Sequence, residues 1–270
     1  MQAGAEHFEA EIVSERLGDL AIHEVVPAGI GPDDSTRAIL YIHGGAFIHG
    51  EGIASAYMAM PLACKAGIRA LCVDYRMPPY HPFPTGLDDC VAAYRKAIER
   101  FQPEHIAVAG GSAGGGLTLS LVLKLRDLGL PLPGACAIAT PCADLTLAGD
   151  TIETNRYSDV VLAEPIAAPL ELYADGHDPT DPLLSPVFAD FGKGFPPSIL
   201  TSGTRDALLS DTVRIHRALR SAGIEAELHV WEAMPHGGFF GAPEDQEVFA
   251  EQAQFIRKQL SLSDLAQVTT

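Results

Sequence analysis

Long hydrophobic runs are missing from this chain, and so is any surplus of positive charge. No run reaches the roughly 18 apolar residues that a helix needs to cross a bilayer core, so no membrane span is expected. The opening "MQAGAEHFEAE" is acidic and lacks an apolar centre, which leaves no visible secretory leader. Lys and Arg number 18 against 35 Asp and Glu, for a net charge of −17. Nucleic-acid binding needs basic side chains to displace phosphate counterions, so that class is excluded, and an anionic membrane surface is disfavoured. The charge reads as a self-repelling, soluble surface.

Cysteine is scarce too. The five, Cys64, Cys72, Cys90, Cys136 and Cys142, are odd in number and form no C-x-x-C pair. That pattern excludes a disulfide framework and offers no metal-ligand set. Most sit in apolar runs, where the thiol is a small core hydrophobe, and the usage fits a reducing, cytoplasmic setting. No internal repeat, low-complexity tract or linker appears, and 270 residues at 47% hydrophobic can bury one large core. A single domain spanning 1–270 is expected.

What is present is an alternation. "FEAEIVSERL" and "LAIHEVVPAG" read as a hairpin around Gly18-Asp19. Apolar strands at 37–45, 69–75, 106–111, 134–141 and 197–203, and a last strand in "AELHVWEA", alternate with helical patterns at 55–66, 85–101, 113–129, 209–222 and 244–260. Continuous apolar strands between helices predict an α/β fold, a mostly parallel eight-stranded sheet covered on both faces. Only 142–196, polar and proline-rich, breaks the rhythm, and it reads as an insertion over one end of the sheet.

The run "AVAGGSAGGG" holds one hydroxyl, Ser112, in a G-x-S-x-G. By chance that pattern should occur in roughly one chain in ten of this length, so its context must decide. It follows a buried strand and opens a helix, the setting of a nucleophile elbow, where the turn is too tight for side chains at 110 and 114. A phosphate loop would need a following Gly-Lys-Ser/Thr, and no lysine is near. A dinucleotide fingerprint would fall on the first strand of its unit, and this strand is fourth or fifth.

A serine hydroxyl needs a base, and the base an orienting acid. Of ten histidines, His236 stands in a Pro/Gly loop just beyond the last strand, "AMPHGGFF". Asp206 is favoured as the acid because it lies three residues past the strand that ends at Gly203. Asp144, also after a strand, is a rival, while Asp211 reads as a helix N-terminal charge. Backbone donors for an oxyanion are expected from Gly44 and Gly45 after the first parallel strand and from Ala113 after the serine. His43 reads as a local hydrogen-bonding residue that holds the glycine loop. These signals fall at the ends of one sheet.

The motifs resemble the hormone-sensitive lipase-like branch of the α/β-hydrolases, the bacterial carboxylesterases, from about Arg37 to Leu260. "HGGAF" resembles its HGGG-type oxyanion motif, "VDYRMPPYHPFPTGLDD" its D-Y-R-x-x-P-x-x-P-F-P segment, and "GGSAGG" its elbow. "DPLLSPVFAD" and "GTRDALLSD" resemble the stretches leading to the family acid, at Asp206, and "WEAMPHGGF" the surroundings of the family base, at His236. The resemblance implies an α/β-hydrolase fold and a serine carboxylesterase without cofactor or metal, acting on small esters or lactones; it is nearest to bacterial enzymes described as ε-lactone or monoterpene-lactone hydrolases. Gly111 stands where that family carries an aspartate and Tyr80 where it carries an acid. Few residues precede "FEAEIV", so the cap is expected mainly from about 144–182, over a more open pocket. Val160, Val161, Leu162, Ile166, Leu170 and Leu172 would line or cover that pocket; the rival reading is that they pack a cap helix. An amidase or deacetylase with the same triad, and a non-catalytic binder on the same fold, are the alternative functions. The last strand of such a sheet is an edge, and a homodimer through it is a further expectation.

Overall fold

The computed structural model describes residues 8–30, 34–163 and 166–262; the first seven residues of the acidic opening lie outside them. Strands β1 (Ala10–Leu17) and β2 (Leu20–Pro27) form the expected hairpin, with Gly18 at φ 63° in its turn. A positive φ is costless for glycine, which lets the chain reverse in two residues.

Six parallel strands follow: β3 (Ala38–Ile42), β4 (Arg69–Asp74), β5 (Ile106–Gly111), β6 (Ala135–Ala139), β7 (Ser198–Gly203) and β8 (Ala226–Trp231). The sheet order is β1-β2-β4-β3-β5-β6-β7-β8, with β2 antiparallel to β4 and every later pair parallel. The strand that leads into Ser112 is therefore the fifth. The helices are α1 (Ile53–Ala66), α2 (Thr85–Ala97), α3 (Ala113–Asp127), the short α4 (Asp150–Thr154) and α5 (Ala167–Ala174), α6 (Leu209–Ser221) and α7 (Pro243–Gln259). This is an α/β-hydrolase architecture. Among the described residues, no helix is long and apolar enough to cross a membrane.

Two apolar layers sandwich the sheet. On one side Leu87 and Tyr94 of α2, Leu117 to Leu125 of α3, and Ile215 and Leu219 of α6 meet Ile106, Val108 and Ile138. On the other, α1 and α7 meet Ile39, Ala107, Ala109, Ala135 and Ala137. Strict alternation along a strand sends neighbouring residues to opposite faces. β5 and β6 therefore present large side chains to one layer and only small ones to the other.

The segment between β6 and β7 carries α4 and α5. Its apolar residues divide between the two readings. Leu170 is buried in the core, while Leu162 and Ile166 line a pocket of about 220 Å³ together with Leu147, Ile152 and Ala207. Val160, Val161 and Leu172 are exposed, Leu172 on the outer side of α5.

Asp211 takes its expected place at a helix N-terminus, with a burial the sequence did not announce. It sits in the first turn of α6 but is buried, accepting the Ala143 and Asp144 N–H groups at 2.9 and 3.0 Å. Burial pushes its carboxyl up to about 7 from 3.8, and the neighbouring Asp144 adds to this, against those N–H groups and Arg214. An acid with a raised folded pKa contributes nothing below its unfolded value and costs stability increasingly as pH rises to the folded one. Asp211→Asn removes that cost while keeping an acceptor oxygen. Its melting temperature relative to wild type is expected to rise between pH 4 and pH 8; an offset constant across that range would refute the reading.

Candidate active site

Ser112 occupies the single position between β5 and α3, at φ 57° and ψ −123°. Non-glycine residues rarely adopt this left-handed geometry, and it persists only where neighbours enforce it. Here its N–H donates to the Ala139 carbonyl (2.9 Å), and its own carbonyl accepts from Gly116 (3.1 Å) and Cys142 (3.0 Å). The flanking glycines are sterically required. A Cβ on Gly114 would overlap the Ile42 carbonyl oxygen, and one on Gly110 the Gly114 carbonyl. Gly111 differs: a Cβ there would meet Ala139 only at 3.6 Å, ordinary contact.

The loops after β7 and β8 return to this point. His236 Nε2 lies 2.9 Å from Ser112 Oγ, and its Nδ1 lies 3.0 Å from Asp206 Oδ1. The structure thus brings Ser112, Asp206 and His236 into one hydrogen-bonded line, with the acid fully buried and the imidazole nearly so. Asp144, the rival acid, pairs instead with Arg214.

Asp206 is held by more than the histidine. Ser202 Oγ donates to Oδ2 at 2.6 Å, the Leu208 N–H donates to Oδ1 at 2.8 Å, and the Thr140 hydroxyl donates to Oδ2. Burial raises the Asp206 carboxyl, but the hydrogen bond and charge of His236, with Ser202 and Thr140, outweigh it and hold the group below its usual range. The carboxylate form is therefore the one this site keeps. Thr140 also approaches His236 Nδ1 at 2.9 Å, so that ring nitrogen faces two acceptors. Its backbone sits at φ 41°, at the end of β6.

Gly44 and Gly45 follow β3 directly. A Cβ on Gly44 would press on the Gly111 carbonyl and Ser112 Cβ, so this backbone lies against the serine; one on Gly45 would overlap His49. The N–H groups of Gly44, Gly45 and Ala113 make no hydrogen bond within the described residues. His43 is fully buried, stacks on Tyr75 with ring centroids 4.2 Å apart, and contacts the Gly44 carbonyl through Nδ1 at 2.8 Å. Burial lowers its pKa and keeps the ring neutral. It hydrogen-bonds locally and anchors the glycine loop.

Sequence reasoning missed the insertion's part in the site. Asp159, buried to 1% exposure, accepts the N–H groups of Val161 (3.0 Å), Leu162 (3.2 Å) and His236 (3.3 Å) at Oδ1 and of Ala207 (2.8 Å) at Oδ2. Asn155 Nδ2 donates to the carbonyls of Thr204 and Asp206. One segment thus clamps both the acid loop and the base loop. Asp159, Asp206 and His236 also stand close enough together to suggest a cation site, but these N–H groups and hydroxyls already take up the two carboxylates. A hydrogen bond to a buried charge is typically worth about 1.5–3 kcal/mol. Asp159→Asn is accordingly expected to lower kcat by about tenfold on a short ester with little change in KM, because it displaces the loops and not the substrate. A KM effect with unchanged kcat would contradict this placement.

The fold and this constellation define a class. Residues 39–240 match the family model described as alpha/beta hydrolase fold, and the chain belongs to that family. Its structural relatives include the crystal structure of an esterase (TM-score 0.90, 36% identity, covering 95% of this chain and 80% of that one). Another is an esterase from the bacterial hormone-sensitive lipase family (TM-score 0.87, 34% identity, 95% and 88%). Among curated sequences, it is 35% identical over 202 residues to an acetyl-hydrolase of Streptomyces hygroscopicus, covering 74% of this chain and 67% of that protein. It is 30% identical over 227 residues to an esterase of Acinetobacter venetianus, covering 82% and 75%. The protein is a hormone-sensitive-lipase-like carboxylic ester hydrolase.

Proposed function

We propose that the protein is a serine carboxylesterase acting on short- to medium-chain esters or lactones through an acyl-enzyme. The observation that carries this reading is the continuous line Ser112–His236–Asp206, with distances of 2.9 and 3.0 Å. Ser112 Oγ attacks the ester carbonyl carbon as its proton passes to His236 Nε2. Asp206 orients the ring and stabilises its cationic form. The tetrahedral oxyanion is met by the N–H groups of Gly44, Gly45 and Ala113, each such donor being worth about 3 kcal/mol. His236 then gives its proton to the leaving alcohol. Water, deprotonated by the same ring, releases the acid and restores the serine.

The acetyl-hydrolase relative favours a small acyl group. p-Nitrophenyl esters from acetate to decanoate, assayed beside ε-caprolactone and an N-acetyl anilide, test both bond type and chain length. The expected profile peaks at or below octanoate, with ester or lactone turnover exceeding anilide turnover by at least about a hundredfold. Preferential cleavage of the anilide would replace this reading with an amidase.

A further inference from the structure

A cavity of about 930 Å³ lies between the sheet and the α1/α7 layer, against the back of the catalytic residues. Its walls include Gly111, Thr140 and Asp206, whereas Ser112 and His236 do not line it. It is therefore a different space from the one into which the serine projects.

The cavity follows from the sequence of the strands beneath it. On this face β5 and β6 offer Ala109, Gly111, Ala137 and Ala139, while their other face carries Val108 and Ile138. The helices above contribute larger apolar groups, Met58 and Leu62 from α1 and Phe249 from α7. Lining residues of α1 run from Ala54 to Lys65, a length of about 16 Å at the helical rise. Exposed aromatics, Tyr57 and Phe240, stand among its lining residues.

Among the polar wall side chains that are not solvent-exposed, one is unpartnered. Tyr41, on the central strand β3, lines the cavity half-buried, and its hydroxyl has no hydrogen-bond partner among the described residues. Burial pushes its phenol well up, so it stays a neutral donor. Tyr57 and Gln246 are solvent-exposed, and the remaining neutral and acidic polar wall groups are engaged. Gln252 donates to Thr201, and the Asp245 carboxylate accepts the Phe239 and Gly241 N–H groups. The only cation among the lining residues, Lys65, is solvent-exposed, and the chain's charge of −17 disfavours anions. Mostly apolar walls with one free neutral donor away from solvent fit an uncharged ligand better than a carboxylate.

We propose that this cavity is a second binding site, for a neutral, mostly hydrocarbon molecule of terpenoid or medium-chain size carrying one acceptor oxygen, which takes the Tyr41 hydroxyl bond. The ligand's body lies on the Ala/Gly floor of β5 and β6.

The neutral fluorophore N-phenyl-1-naphthylamine, titrated into the full chain and displaced by 2-undecanone or by decanoate, tests this. Saturable binding is expected, displaced by the ketone at a concentration at least about tenfold below that needed of decanoate. Ala137→Leu, which fills the floor, and Met58→Trp, which fills the roof, should each weaken binding at least about tenfold while p-nitrophenyl acetate hydrolysis stays within about twofold. Tyr41→Phe should weaken the ketone by about three- to tenfold and leave the fluorophore unchanged. Absence of saturable binding, binding unaltered by the filling variants, or decanoate displacing as well as the ketone would each overturn the proposal. Should Ala137→Leu fail to fold, Met58→Trp decides, since it alters an already half-exposed helix position.

Discussion

Ser112→Ala is expected to lower kcat on p-nitrophenyl butyrate by about 10⁴-fold or more, with the melting temperature nearly unchanged. The two halves of this expectation have separate origins. The hydroxyl makes a single hydrogen bond, to His236 Nε2, so its loss leaves little unsatisfied. The backbone at 112 is held by Ala139, Gly116 and Cys142 through main-chain groups alone, and alanine keeps all of these. Single-turnover kinetics give the cleanest comparison, because a burst of p-nitrophenol in wild type and none in the variant reports the acyl-enzyme directly. A variant that retained a tenth of the activity would mean that another group attacks the ester.

The second large effect belongs to Asp206→Asn. An asparagine in this position leaves the imidazole in the wrong tautomer, a loss of about 10⁴-fold in comparable triads. In this site Thr140 changes the arithmetic. Its oxygen lies 2.9 Å from Nδ1, close to the 3.0 Å of Asp206, and accepts the same proton. The single variant is therefore expected to lose about 10³-fold, and Asp206→Asn with Thr140→Val the full 10⁴-fold. If the two changes simply multiply, with Thr140→Val costing the same in either background, the threonine does not support the tautomer. The single variant also has a pH signature. A carboxyl whose folded pKa is depressed contributes stability above its ordinary value of 3.8 and loses it as pH falls through the folded value. Asp206→Asn should flatten that acid limb of the unfolding profile.

The sheet and the three residues of the line were legible in the sequence because local sterics write them there. The elbow must carry glycine at 110 and 114, since any Cβ would strike main-chain oxygens. Asp206 and His236 were found by position, just past strand ends, and by the resemblance of the stretches around them to those of the family. Thr140, Ser202, Asn155 and Asp159 were not found. Ser202 lies only four residues from Asp206, on the preceding strand, where nothing marks one hydroxyl above another. Thr140, Asn155 and Asp159 act through segments that return from far along the chain, as when Asp159 meets His236 across 77 residues. No periodicity records such a return. The burial of Asp211 was hidden for a related reason. An acid in the first turn of a helix looks like a dipole partner until the neighbouring loop, 143–144, closes over it. The cavity was equally invisible. Alternating Ala with Ile or Val in β5 and β6 reads as a fully buried strand, and only the placement of α1 and α7 reveals which face was left with room.

The clamp formed by Asn155 and Asp159 has a consequence for how the molecule fails. The same stretch that grips both catalytic loops presents Tyr157 at 91% and Val160 at 76% exposure. Exposed backbone of this kind is where proteases cut and where opening begins. A nick between 156 and 161 would leave the eight-stranded sheet intact and far-ultraviolet dichroism nearly unaltered, yet would free the loops that carry the acid and the base. Loss of activity would then run ahead of loss of fold, and amide exchange in those two loops would quicken together with that of the insertion.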